Sequence, residues 1–110
     1  MTPEEVQVAS QSVVAIVQQA LTDHLESLMR GDPQRVRYDF AEEARERILQ
    51  LEALVPTGLR RYELLRHFYD GRASHHVVRL EGDRTAELDW LWADVDGRFR
   101  IVDIQPLVSC

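Results

Sequence analysis

Arg66, His75 and Asp103, three side chains of complementary chemistry, fall at spacings that place them in one row of a β-sheet beside Trp90. On a face meant for burial, Asp103 is a candidate general base, His75 can polarise a carbonyl, and Arg66 offers a grip on an anionic group. The same residues also make a structural set, an Arg66–Asp103 ion pair with His75 as a hydrogen-bonded core histidine. Desolvation strengthens a carboxylate base and a neighbouring arginine weakens it, so Arg66 detracts from the catalytic reading.

The row rests on the turns. Asp96-Gly97 inside Thr85–Gln105 is the strongest short-range hairpin signal, because both central residues of a type I′ turn take positive φ. Asp70-Gly71 is a second such signal and Gly82-Asp83 a weaker third. With two-residue loops at all three, the chain from Leu59 onward becomes a four-stranded antiparallel meander. The tryptophan face then reads Arg66, His75, Trp90, Asp103 in one row, Leu64, Val77, Leu88, Gln105 in the next, and Phe68, Ala73, Trp92, Ile101 in a third. Leu64, Phe68, Leu88, Trp90 and Trp92 would line an apolar ligand pocket, with Arg66 available to an anionic group. The opposite face carries Leu65, His76, Leu91, Val102 and Ile104, which suit an interface with a second subunit. His67 and His76 there lack a third ligand, so no metal site is expected.

The elements that must position this sheet are helical. Thr2-Pro3-Glu4-Glu5 is a capping box with proline at the first helical position, and an apolar stripe follows from Val6 to Met29. Gly31-Asp32-Pro33 stops this helix and starts a short second one to about Tyr38. A third is expected from Asp39 or Phe40 to about Leu54, with Phe40, Ala44, Ile48, Leu51 and Val55 inward, and no strand is legible between Arg35 and Phe40. The fold class is α+β in a single domain 1–110: three N-terminal helices (about 3–55) packed on a curved four-stranded antiparallel meander sheet (about 59–106).

Composition narrows the function. With 45% apolar and 29% charged residues the chain is an ordinary soluble type, and a formal charge of −6 argues against nucleic acid. No stretch is long enough to span a bilayer and no signal peptide opens the chain, so no membrane and a cytoplasmic location are expected. The single Cys110 excludes an intramolecular disulfide, and the absence of lysine excludes Schiff-base and phosphate-loop lysine chemistry. Arginine in place of every lysine, with no asparagine, is the mark of GC-rich coding. No cofactor is expected.

The ending Val95-Asp96-Gly97-Arg98-Phe99-Arg100-Ile101-Val102-Asp103, after a helical half broken at Gly31-Asp32, resembles the nuclear transport factor 2-like superfamily, with Phe99 where tryptophan is usual. The start Thr2-Pro3-Glu4-Glu5-Val6 is similar to small bacterial lumazine-binding-like and SnoaL-like members. The resemblance implies a cone of helices inside a bent sheet, a pocket between them, and a homodimer through the outer sheet face. It also implies three functions. The first is a small bacterial, non-catalytic domain whose pocket is filled or takes a small apolar or anionic ligand. The second is a proton-transfer enzyme of the ketosteroid isomerase or SnoaL cyclase kind, with Asp103 and His75 catalytic. The third is a scaffold for a protein partner on the outer face.

Overall fold

The computed structural model describes residues 3–107, with side chains from residue 12 onward. The expected N-cap Thr2 and the lone Cys110 lie outside the described residues, as do the side chains of Glu5 and Val6.

Four helical segments precede four strands: α1 (Pro3–Arg30), α2 (Pro33–Tyr38), α3 (Glu42–Arg45), α4 (Ile48–Glu52), then β1 (Arg61–Tyr69), β2 (Ala73–Glu81), β3 (Thr85–Val95) and β4 (Arg98–Pro106). The strands form one open antiparallel sheet in meander order β1-β2-β3-β4, and α1 packs against it. No helix among the described residues is long and apolar enough to cross a membrane.

The helix break forms as its residue types dictate. Gly31 takes φ +73°, and the N–H groups of Gly31 and Asp32 donate to the carbonyls of Leu28 and Ser27, closing the last turn of α1. The Asp32 carboxylate then accepts from the Arg35 N–H at 3.2 Å and caps α2, with Pro33 in its first turn. The expected third helix is corrected to two short segments, α3 and α4. The backbone of Asp39 to Ala41 is drawn instead to the edge of β4: Ile101 N–H donates to the Asp39 carbonyl at 2.7 Å, and Ala41 N–H donates to the Ile101 carbonyl at 2.8 Å. This makes a parallel bridge between Phe40 and Ile101, where no strand was expected, and leaves β1 as the uncovered edge. Phe40, Ala44 and Leu51 are nonetheless buried, and Ile48 and Val55 pack against the core.

The last hairpin keeps its expected form, with Asp96 at φ 55° and Gly97 at φ 85°. The other two loops are longer than two residues. Asp70 N–H bonds the Ala73 carbonyl while the Asp70 carboxylate accepts from the N–H groups of Arg72 and Ala73, both at 2.8 Å, so Tyr69 pairs with Ser74. Gly82, Asp83 and Arg84 together form the second loop, so Glu81 pairs with Thr85. Asp83 is the reason. Its N–H donates to the Thr57 carbonyl and its carboxylate accepts from the Thr57 N–H, each at 2.9 Å, which pins this loop to the α4–β1 connection. Bulges at Leu65 and Val102 shift the register again.

The inner face of the sheet carries Ser74, His76, Val78, Leu80, Leu88, Trp90, Trp92, Ile101 and Ile104, all buried beneath Val17, Leu21 and Leu25 of α1. Gly82 permits the loop contact, because a Cβ there would stand 2.5 Å from the Thr57 carbonyl oxygen and 3.1 Å from the Pro56 Cβ. Gly82→Ala is expected to destabilise the domain by about 1–3 kcal/mol, read as a lower urea midpoint at unchanged slope. An unchanged midpoint would show that the Thr57 contact has no energetic weight.

Candidate functional site

Two side-chain clusters gather the titratable groups, one on each face of the sheet. On the inner face, His24 of α1 donates from Nδ1 to Oδ2 of Asp39 at 2.9 Å, with both residues 1% exposed. The other Asp39 oxygen accepts from Arg98 at 3.2 Å, and the Arg35 Nε lies 3.6 Å from the pair. The His24 ring stands edge-on to Phe40, Trp90 and Trp92, with centroids 5.8, 5.4 and 6.1 Å away. The indole N–H groups of both tryptophans are buried with no hydrogen-bond partner. Sequence reasoning missed His24. Its signal was a polar residue inside the apolar stripe, between Leu21 and Leu25.

On the outer face, His75 donates from Nδ1 to Asp89 at 3.0 Å and from Nε2 to Asp70 at 2.9 Å, with its ring stacked on Phe68 at 4.3 Å. Burial works against the imidazolium, but the hydrogen bonds that His75 donates to Asp89 and Asp70 outweigh it and raise the pKa above the ordinary histidine value. Asp70 is held well below the usual carboxylate range, first by the Ala73 N–H, then by His75 and by the Arg72 N–H. With both ring nitrogens donating, His75 has no lone pair with which to accept a proton from a substrate.

The predicted row does not assemble. The longer Gly82 loop puts His76 opposite Trp90, so His75 is corrected to the outer face, opposite Leu91. The Val102 bulge turns Asp103 outward as well, opposite Leu91, where it accepts from Ile104 N–H at 2.9 Å and meets Arg47 at 3.5 Å. Arg66 lies opposite Val77, also outward, and forms no ion pair with Asp103 among the described residues. Of the expected pocket lining, Trp90, Trp92, Leu88 and Leu64 stay on the inner face, while Phe68 is corrected to the outer one, across from His75. Of the expected interface, Leu65, Leu91 and Val102 remain exposed or half-buried, whereas His76 and Ile104 are corrected to the interior, at 2% and 3% exposure.

Burial, reinforced by nearby His67, pushes the His76 pKa down to about 4, and its Nε2 shares a 2.8 Å hydrogen bond with the Ser74 hydroxyl. The larger clefts lie away from the tryptophans and Asp103. One of about 620 Å³ runs between Ala53-Leu54 and the ends of β3 and β4, and another of about 410 Å³ lies between Leu28, Val36 and Val55. No group of three or more metal-ligating side chains converges among the described residues. A scan against models of known protein families gives no match to this chain, and a search of curated protein sequences gives none either.

The two histidines act on stability in opposite senses. His75, with a raised pKa, contributes stability that is complete below pH 6.5 and lost as the pH rises through the folded value. His76, with a lowered pKa, favours the fold above pH 6.5 and loses that contribution as the pH falls toward about 4. His76→Gln should therefore flatten the acid limb of a stability–pH curve, by up to about 1.4 kcal/mol per pH unit, and His75→Gln should flatten the alkaline limb. Urea midpoints from pH 4 to pH 8 test both, and curves parallel to wild type would contradict the assignment.

Proposed function

We propose that this chain is a non-catalytic, nuclear transport factor 2-like domain with a filled interior, which forms a homodimer through the outer face of its sheet and the adjoining β1. One observation carries the reading. The space between helix and sheet is occupied by Trp90, Trp92, Phe40, Leu21, Leu25 and His24, all at most 1% exposed, while Leu65 and Phe68 on β1 are 37% and 48% exposed. A filled interior supplies no room for a drug-sized ligand, and clustered apolar surface is the property of an interface. The Phe40–Ile101 bridge adds support for the superfamily resemblance, because a short strand between the helices is common among its members.

Solution mass tests the dimer. Light scattering should give twice the 12.8 kDa chain for wild type and the single-chain value for Leu65→Glu/Phe68→Glu, with the monomer still folded. A monomeric wild type, or a double variant that stays dimeric, would remove the proposal.

A second reading is favoured by the buried His24–Asp39 pair beside two unpartnered indole N–H groups. A proton-transfer site of the isomerase or cyclase kind would then rest on these residues rather than on Asp103 and His75. Tryptophan fluorescence against a panel of steroids and polyketide-like aromatics separates the two. Saturable quenching that His24→Gln abolishes would favour the enzyme; a flat response across the panel favours the filled domain.

A further inference from the structure

Where α2 meets β4, the guanidiniums of Arg35, Arg98 and Arg100 gather around Tyr38 and Asp39 in a chain whose formal charge is −6. Tyr38, half exposed, carries the Arg98 guanidinium 3.7 Å above its ring centroid and the Arg100 guanidinium at 5.3 Å. Arg98 gives one N–H to Asp39 Oδ1 at 3.2 Å, and Arg100 gives one to the Tyr38 carbonyl at 2.9 Å. A guanidinium has five N–H donors, and no further protein acceptor meets these two among the described residues. Arg35 stands at the other oxygen of the same carboxylate, 40% exposed, with its buried Nε 3.6 Å from Asp39 Oδ2 and without a hydrogen bond.

Among the described residues, the carboxylate that Arg35 and Arg98 reach is that of Asp39, which also serves His24. Other acids lie close in sequence, Asp32 before Arg35, Asp94 and Asp96 before Arg98 and Asp103 after Arg100, but among the described residues none of them forms an ion pair with Arg98 or Arg100. On the β3–β4 turn, Asp94 accepts from the Gly97 N–H at 2.9 Å, and Asp96 sits at the exposed tip. Arg98 and Arg100 therefore keep guanidinium N–H groups free for an anion such as a phosphomonoester. Arg98 and Arg100 stand two residues apart on one strand, roughly 7 Å along it, a spacing at which one tetrahedral anion can take N–H donors from both. Stacking on Tyr38 fixes the plane of Arg98 in advance, which lowers the ordering cost of such a contact.

We propose that Arg98 and Arg100, laid against the exposed ring of Tyr38, form a binding site for the phosphate group of a small phosphorylated molecule. The Tyr38 ring gives an aryl or heterocyclic substituent of that molecule a surface to lie on. Arg98 also reaches Asp39, so occupancy shifts the Asp39–His24 pair, and His24 stands edge-on to both tryptophans. Binding at the surface thereby acquires a fluorescence signal from the core.

The experiment is a titration of the full chain with inorganic phosphate and with phenyl phosphate, following tryptophan fluorescence and arginine Nε–H resonances, against sodium chloride at matched ionic strength. Both phosphates should give saturable changes centred on the Arg98 and Arg100 signals, and phenyl phosphate should bind several-fold more tightly. Arg100→Gln, which leaves the Asp39 pairs in place, should weaken both at least tenfold while still giving a cooperative unfolding transition in phosphate-free buffer. Tyr38→Ala should remove the preference for phenyl phosphate while retaining inorganic phosphate. Changes reproduced by sodium chloride alone, or affinity unaltered in Arg100→Gln, would overturn the proposal.

Discussion

The Asp39 carboxylate is the interaction on which the rest of this structure depends. It is 1% exposed and shared among His24 of α1, Arg98 of β4 and Arg35 of α2, while its own carbonyl accepts from Ile101. Three elements distant in sequence are thus referred to a single side chain. Removing one partner from a buried pair leaves an uncompensated charge, which costs about 3–5 kcal/mol, so the geometry around Asp39 is narrowly specified. The aromatic packing follows from it, since Phe40 is the next residue and must bridge to Ile101, and His24 must turn its edge to Trp90 and Trp92.

The outer face is organised by a second charged device of a different kind. His75 ties Asp70 in the β1–β2 loop to Asp89 on β3, so it clamps a loop to the sheet rather than a helix to it. It is 13% exposed and fully donating, whereas its neighbour His76 is buried and neutral beside Ser74. Adjacent residues of one strand face opposite sides, and here that alternation moves the pKa values of two neighbouring histidines in opposite directions.

How far the sequence could be read depended on the range of each interaction. The Gly31-Asp32-Pro33 break and the Asp96-Gly97 turn were legible because their hydrogen bonds lie within a few residues. The inward residues Phe40, Ala44 and Leu51 were legible because apolar spacing survives even when a helix is divided. The row of Arg66, His75, Trp90 and Asp103 was not, because it relied on every loop and strand being regular. Asp83 bonding to Thr57 lengthens one loop, the Asp70 side chain widens another, and bulges at Leu65 and Val102 each add a residue. A slip of one residue reverses the face of every side chain beyond it.

The sequence by itself determined the α+β order of elements, the four-stranded meander and the apolar residues that make its core, all of which follow from local period and turn chemistry. Only the tertiary structure decided which polar groups meet. His24 and Asp39 are fifteen residues apart and Arg98 is fifty-nine from Asp39, and no local pattern encodes either contact. Their pairing comes from the crossing of α1 over the sheet and the capture of the Asp39 backbone by β4. Buried charge has to be paired wherever the fold brings partners together, and that place is fixed by packing rather than by spacing in the chain.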